Sequence, residues 1–136
     1  MVVDVEYLKG RIREVREVVG ELRRFVSKAY SEMSLDEKYS MRYHVVVLTE
    51  ALGGLCLHIA MEDLGCEPVS YAECFKLLES RGVAERAEEL VRMVRLRNLL
   101  VHRYWSIEDA KVYEAVKRDF RCVEDLIGRV ERKYGL

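Results

Sequence analysis

Arg97 and His102, five residues apart, are the two side chains in this sequence best suited to chemistry on a phosphate group. A guanidinium holds a phosphate with two hydrogen bonds and stabilises the negative charge that develops on it. An imidazole titrates near neutral pH and therefore serves as a general acid or base. The pair predicts proton transfer beside a bound phosphate.

Arg97 also breaks the hydrophobic pattern of its own segment. The stripe is apolar up to that point and consists of Val83, Ala87, Leu90 and Val94, whereas the next position is Arg97. A guanidinium that faces the interior of a helical bundle is costly unless it is paired or hydrogen-bonded. Two interpretations stay open: a functional arginine, or a structural ion pair with an acidic residue of another helix.

The surroundings of Arg97 are basic in an otherwise balanced protein. The chain has 23 Lys and Arg against 24 Asp and Glu, which excludes a generally basic nucleic-acid-binding protein. No acidic residue lies between Arg92 and Arg103. We therefore expect Arg92, Arg95, Asn98 and Arg103 to contact phosphate groups. The alternatives are that Arg95 and Arg103 complement the helix dipole and that Asn98 caps the helix.

The geometry of one helix limits how the pair can work. Residues five apart on an ideal helix differ by about 140° in direction, so Arg97 and His102 do not share a face. Either the helix breaks before His102, or a second copy of the chain completes the site. The other two histidines, His44 and His58, lie in an apolar segment and are interpreted as structural, and Trp105 is interpreted as a core anchor.

Helical periodicity predicts the elements that position these residues. With one proline and eight glycines in 136 residues, the chain is expected to form one all-α domain over residues 1–136. The expected fold is a single antiparallel bundle of four main helices and a short one. A first apolar seam runs from Val5 to Ala29, about 40 Å at 1.5 Å per residue. The fourth helix is expected between Val83 and Val101.

Three pairs of residues are expected to start the other helices. Each combines a serine with an acidic residue three positions later, which is the pattern of an N-terminal cap: Ser34 with Glu37, Ser70 with Glu73, and Ser106 with Asp109. The helix that follows the first pair is apolar on every side around residues 45–48, which predicts a central or interfacial position. Two consecutive glycines, Gly53 and Gly54, require another backbone to pack closely against it. The helix that follows the last pair is expected to carry one stripe from Tyr113 to Tyr134.

Composition narrows the class of protein further. No run reaches the roughly 18 consecutive apolar residues that a membrane span needs, and the opening Met1-Val2-Val3-Asp4 lacks the pattern of a signal peptide. A cytoplasmic protein without a membrane partner is expected. The four cysteines form no C-x-x-C pair and are interpreted as small buried hydrophobic residues. No metal site and no cofactor are expected.

The segment Arg97-Asn98-Leu99-Leu100-Val101-His102-Arg103-Tyr104 resembles the R-x4-H-x-Y signature of HEPN-domain toxins of the HepT family. The resemblance extends over nearly the whole chain and includes Pro68, Ser70-Tyr71 and Cys74-Phe75 ahead of the motif. One departure is Leu57, which stands where an asparagine before the histidine is expected. The resemblance implies a HEPN-like homodimer in which the two motifs meet in a cleft at the interface.

The resemblance also implies an activity and a partner. HepT-like proteins are metal-independent ribonucleases and act as toxins, and an MntA-type nucleotidyltransferase antitoxin silences them by transferring AMP to the motif tyrosine. Carried over to this chain, Arg97 and His102 are catalytic and Tyr104 is the modification site. RNA supplies its own nucleophile, the 2′-OH, so this chemistry needs acid–base and phosphate-binding groups. The alternative is a non-catalytic module that binds a nucleotide or RNA and recruits substrate for a partner nucleotidyltransferase.

Overall fold

The computed structural model describes residues 3–118 and 120–136. Within these ranges the chain is helical and contains no strand, which confirms the all-α prediction. The α-helices are α1 (Val5–Phe25), α2 (Leu35–Glu62), α3 (Tyr71–Ser80), α4 (Ala87–His102), α5 (Asp109–Lys117) and α6 (Arg121–Tyr134). Two short 3₁₀ turns comprise Tyr30–Glu32 and Tyr104–Ser106, and the second is called the 104–106 turn. The prediction of four main helices and a short one is therefore wrong for the part of the chain described.

The first helix is shorter than its apolar seam. The side chain of Asp4 accepts a hydrogen bond from the Tyr7 N–H and starts α1, as an N-cap does. The helix ends at Phe25, so its 21 residues span about 31 Å rather than 40 Å. The chain leaves helical geometry there because it must turn back into α2. Residues 1 and 2, which open the tetrapeptide considered for a signal peptide, lie outside the described residues.

The second helix is the centre of the fold, as its apolar sequence predicts. It packs against α1, α3, α4 and α5. The Ser34 side chain accepts from the Glu37 N–H and the Glu37 carboxylate accepts from the Ser34 N–H, which confirms the predicted capping box. By length and composition α2 also satisfies the criteria for a membrane-crossing helix, and more than half of its most apolar stretch is buried inside the bundle. Such burial is typical of a core helix.

Glycine at position 53 allows α3 to approach α2, although not through the backbone contact that the sequence predicted. A Cβ at Gly53 would lie 2.5 Å from the Tyr71 ring, so this ring occupies the space that a side chain would need. A Cβ at Gly54 would lie 2.9 Å from the Tyr7 hydroxyl, which is its nearest neighbour. Ser70 accepts from the Glu73 N–H and starts α3 as expected, which fixes Tyr71 as its first residue.

The C-terminal half of the chain departs from the prediction at three places. The fourth helix begins at Ala87 rather than Val83, after a turn in which Gly82 has a φ of 76°. Ser106 does not cap the next helix, because its hydroxyl donates to the Arg103 carbonyl and α5 begins after Glu108. The single stripe from residue 113 to 134 is divided between α5 and α6, which packs back on α4.

The sequence analysis interpreted the four cysteines as small buried hydrophobic residues, and it did not predict the disulfide that two of them form. Cys56 of α2 and Cys74 of α3 form a disulfide. Their sequence spacing gives no indication of it, since the pair arises from the packing of two helices. Cys122 is buried as expected, whereas Cys66 is only partly buried.

Candidate functional site

Arg97 is held in place by the second helix. Its side chain is 21% exposed, and its Nε donates to Glu50 Oε1 at 2.9 Å while Nη2 donates to the same oxygen. Nη1 donates to Asn98 Oδ1 at 2.8 Å. A guanidinium has five N–H groups, so two remain without a partner among the described residues. The structural ion pair that the sequence left open as an alternative is therefore present, and the acidic residue is Glu50.

Tyr71 completes the support of Arg97. Its hydroxyl donates to Glu50 Oε2 at 2.8 Å, and the Arg97 Cζ lies 5.7 Å from the centre of its ring. Burial raises the pKa of Glu50, but the hydrogen bonds from Arg97 and Tyr71 outweigh it, so the net pKa lies below its ordinary value. Burial and the bond to Glu50 raise the pKa of Tyr71. Glu50 therefore stays ionised and Tyr71 stays protonated at neutral pH.

The fourth helix is continuous through His102, which removes one of the two explanations for the spacing of the motif. His102 is the last residue of α4, and the Arg103 N–H bonds to the Leu99 carbonyl to close the final turn. The proposed break before His102 is therefore wrong. Within one chain, the side chains of Arg97 and His102 leave α4 in directions about 140° apart.

Asn98 lies between the two motif residues. It accepts the hydrogen bond from Arg97, and it precedes His102 by four residues, which places it on the same face of α4. Because the helix continues for four residues beyond it, the interpretation of Asn98 as a helix cap is wrong. The His102 ring is exposed and has no hydrogen-bond or ion-pair partner among the described residues. One motif residue is thus fixed and the other is open to solvent.

The face of α4 that packs into the core becomes a surface toward its C-terminal end. Ala87, Leu90 and Val94 are buried, whereas Asn98 and Val101, which continue the same stripe, are exposed. The sequence pattern predicted an apolar stripe interrupted by Arg97. The structure shows instead that the stripe emerges from the bundle at this point.

A cavity of about 300 Å³ adjoins Arg97. It is lined by one residue of α2, the start of α3 with the loop before it, and α4: Leu57, Pro68, Val69, Ser70, Tyr71, Val94, Arg97 and Asn98. Leu57, the departure from the family pattern, lines the same cavity as the motif arginine. Its side chain has no polar group, and the α2 residue that bonds Arg97 is Glu50.

The other arginines of the basic segment are not all in one place. Arg95 precedes His102 by two helical turns and is exposed on the same face of α4. Arg103 is exposed and forms the C-cap, so its position also suits the dipole alternative. Arg92 lines a separate cavity of about 450 Å³, which Arg97 does not line. Arg92 and Arg97 thus line different cavities, and the contact of Arg92 with RNA phosphates stays a prediction.

Tyr104 and Trp105 are exposed on the 104–106 turn, at 64% and 69% respectively. The interpretation of Trp105 as a core anchor is wrong. Arg42 of α2 holds the turn: its Nη1 donates to the Tyr104 carbonyl at 2.9 Å and its Nη2 to the Ile107 carbonyl at 2.7 Å. The Arg42 Nε donates to Asp109, which completes the contact.

His44 and His58 have structural contacts, as predicted. His58 Nε2 accepts from the Asp4 backbone N–H at 2.9 Å, and His44 Nδ1 lies 2.7 Å from the Ser40 carbonyl.

The sequence analysis did not identify two residues that support the site, Glu50 and Arg42. A carboxylate inside the apolar run of α2 was a signal for Glu50, whereas nothing in the sequence indicated what Arg42 contacts.

Residues 3–118 and 120–136 contain no group of three or more His, Cys, Asp or Glu side chains arranged to hold a metal ion.

A family model described as "Ribonuclease HepT-like" matches residues 12–130, which is most of the chain. The chain belongs to the HepT-like ribonuclease family. No curated protein matches this HepT-like chain.

Solved structures share the fold of this HepT-like protein. A tri-AMPylated HEPN toxin from Shewanella oneidensis, in complex with an MNT antitoxin, has a TM-score of 0.85 at 18% identity over 95% of this chain and 99% of its own. A toxin–antitoxin structure with AMP-PNP gives 0.84 at 18% identity, over 93% and 98%. The cytosolic Bacillus subtilis protein YutE, of unknown function, gives 0.82 at 19% identity, over 97% and 90%. At this level of identity the likeness establishes the HEPN-like fold.

Proposed function

We propose that this HepT-like protein is a metal-independent endoribonuclease and the toxin of a toxin–antitoxin pair. The observation that carries the proposal is the environment of the two motif residues. Arg97 is oriented by Glu50 and has two N–H groups without a partner among the described residues, and His102 is solvent-exposed at the end of the same helix. The family match and the two toxin–antitoxin structures that share the fold support it. A cytoplasmic location suits such an enzyme, and the Bacillus relative is described as cytosolic.

In the proposed reaction the RNA 2′-oxygen attacks the adjacent phosphorus. The bond from the 2′-oxygen to phosphorus forms, the bond from phosphorus to the 5′-oxygen breaks, and a 2′,3′-cyclic phosphate and a 5′-hydroxyl remain. His102 takes the 2′-proton while water protonates the departing 5′-oxygen, or the two exchange these roles, since an imidazole does either near neutral pH. Arg97 donates its two uncommitted N–H groups to the phosphate oxygens, where negative charge increases in the transition state.

Glu50 does not prevent this role. It neutralises Arg97 in the free protein and aims the guanidinium, which reduces the conformational freedom lost when a phosphate binds. The same pair is also the observation that favours the alternative function, since an arginine whose charge is already balanced suits a non-catalytic nucleotide- or RNA-binding module. The two functions differ in whether bound RNA is cut.

The test is cleavage of single-stranded RNA by the purified protein in excess chelator. We expect cleavage to persist in chelator and to fall by about 10²-fold or more in Arg97→Ala and in His102→Ala. Arg13→Ala is a matched control, because Arg13 is exposed on α1. RNA that stays intact although it binds would favour the binding module, and cleavage that requires added metal or survives in both motif variants would refute the proposal.

We further propose that a homodimer completes the site. The divergence of Arg97 and His102 on a continuous α4, together with the emergence of the α4 stripe from the bundle, supports a second copy at this face. Mixing Arg97→Ala chains with His102→Ala chains tests whether each site uses both copies. If it does, mixed dimers contain one intact site, and random exchange restores about a quarter of the original activity. If each site lies within one chain, the mixture stays inactive.

The proposed partner is an MntA-type nucleotidyltransferase antitoxin that transfers AMP to Tyr104. The exposure of Tyr104 supports this, because a modifying enzyme must reach its hydroxyl. An AMP group there adds bulk and negative charge two residues from His102. Both effects oppose the approach of an RNA backbone.

A further inference from the structure

Four aromatic side chains are exposed at the end of the bundle where α2 begins and α4 ends. Tyr39 and Tyr43 of α2 are 57% and 64% exposed, and Tyr104 and Trp105 of the 104–106 turn are 64% and 69% exposed. Arg42, between the two α2 tyrosines in sequence, reaches the 104–106 turn and so joins the two segments. Large aromatic surfaces left in water at one place indicate a ligand or partner.

Trp105 is restricted by its neighbours despite its exposure. The Arg103 carbonyl accepts from both the N–H and the hydroxyl of Ser106, at 2.8 Å and 2.7 Å, which closes the turn around Trp105. Its indole lies edge-on against the Tyr104 ring, with the centres 5.4 Å apart and the planes at 84°. A ring that is already ordered and exposed loses little conformational freedom when another flat ring stacks on it.

The charge around Trp105 indicates the chemistry of that ligand. No Asp or Glu occurs between residues 90 and 107, and Arg95, His102 and Arg103 are exposed near the C-terminal end of α4. Of the two acidic residues that follow, Glu108 is exposed and Asp109 accepts a hydrogen bond from Arg42. Exposed aromatic rings among cationic side chains are the combination with which proteins bind single-stranded nucleic acids, since bases stack on the rings and phosphates meet the cations. A surface for an uncharged protein partner would not need the cations.

We propose that Trp105 is a stacking platform for an unpaired RNA base next to the phosphate that meets His102. The identification of RNA as the ligand rests on the proposed function. Trp105 would act as a specificity-determining residue: it favours single-stranded over duplex RNA, because a paired base is not free to stack. The neighbouring Arg103 would meet the backbone of the same strand.

The single tryptophan of the chain makes the proposal directly measurable. The His102→Ala variant, which is expected not to cut RNA, is titrated with single-stranded RNA, duplex RNA and inorganic polyphosphate while tryptophan emission is recorded. We expect single-stranded RNA to quench the emission at saturation, and the other two not to. In anisotropy measurements with labelled RNA, His102→Ala/Trp105→Leu should bind roughly 5- to 100-fold more weakly, and the matched Trp105→Phe version should keep most of the affinity because it keeps an aromatic face.

Four results would overturn the proposal. The first two are tryptophan emission that does not change at saturating RNA and quenching by polyphosphate that equals quenching by RNA. The third is an RNA affinity of the Trp105→Leu version equal to that of its parent. The fourth is emission that shifts with protein concentration before RNA is added, which would show that a second copy covers Trp105. The outcome stays separate from that of the proposed function. Cleavage by the unmodified protein with no change in emission refutes only the platform, and quenching without cleavage refutes only the ribonuclease activity.

Discussion

Gly53 lies directly beneath the ring of Tyr71, where a Cβ would come within 2.5 Å of the ring carbons. This contact positions the Tyr71 hydroxyl on Glu50, and Glu50 in turn holds Arg97. A glycine of α2 that does not line the cavity beside Arg97 is therefore linked, through Tyr71 and Glu50, to the way in which the motif arginine is held.

Replacing Gly53 with alanine is expected to displace Tyr71 and loosen Arg97. Overpacking of this kind costs about 1–3 kcal/mol, and RNA cleavage should fall more than stability alone explains. Gly20→Ala is the matched control: nothing lies within 4 Å of a Cβ there, so it should be neutral or stabilising by about 0.5–1 kcal/mol. Urea unfolding and cleavage rates measure both effects. A Gly53→Ala protein with unchanged stability and activity would contradict this link between Gly53 and Arg97.

Arg97→Lys is expected to lower cleavage by roughly 10²-fold although it keeps the charge. A lysine ammonium cannot bond Glu50, Asn98 and a phosphate from one planar group. Arg95→Lys is the comparison, because Arg95 is exposed on the same helix. If the two variants lose activity equally, the planar contacts of Arg97 do not explain its contribution to cleavage.

Arg42→Lys is expected to release the 104–106 turn. Arg42 bonds two carbonyls and the Asp109 carboxylate at once, and a lysine keeps at most part of this set. We expect a loss of about 1–3 kcal/mol in the free energy of unfolding and faster depolarisation of Trp105 fluorescence. Arg13→Lys, on the exposed face of α1, should change neither. Unchanged depolarisation in Arg42→Lys would show that the turn is held by other contacts.

The capping box of α2 should make stability depend on pH in the acid range. The hydrogen bonds from Lys28 and the Ser34 backbone lower the pKa of Glu37 from 4.5 to about 2. The folded state therefore holds this proton more weakly than the unfolded state, so the stabilisation is complete above about pH 5 and is lost as the pH falls toward 2. Urea unfolding of the original protein and Glu37→Gln should converge on acidification. A difference that stays constant with pH would contradict the assignment.

Tyr104→Phe is expected to remove the proposed modification without disturbing the fold. Incubation with the partner nucleotidyltransferase and ATP should increase the intact mass of the original protein by whole AMP units and leave Tyr104→Phe unchanged. Tyr43→Phe is the matched control, since Tyr43 is equally exposed on α2. In cells, the partner should relieve toxicity of the original protein and not of Tyr104→Phe. AMP found on Tyr104→Phe would place the modification elsewhere.

The sequence predicted the local features of the fold better than the distant ones. The capping serines of α2 and α3 were found because a cap depends on residues three positions apart. The Cys56–Cys74 disulfide and the Glu50–Arg97 pair join residues that are distant in sequence, and no periodicity encodes which helices face each other.

The candidate site shows the same division. The spacing of Arg97 and His102 is readable from the sequence, but the exposure of Trp105 is not, because an apolar aromatic near a helix end suits the core equally well. Its true position follows from Arg42, a contact 62 residues away in sequence that holds the neighbouring Tyr104.

The passage of the α4 stripe from the interior to the surface has a consequence for selection experiments. The buried side chains of residues 87–94 contribute to packing, so a screen for folded protein selects strongly against substitutions of them. Asn98 and His102, in water on the same helix, contribute little to that property. A library sorted by solubility or thermal resistance alone would accept almost any polar residue there, and populations propagated under that pressure would lose the R-x4-H motif before they lost the bundle.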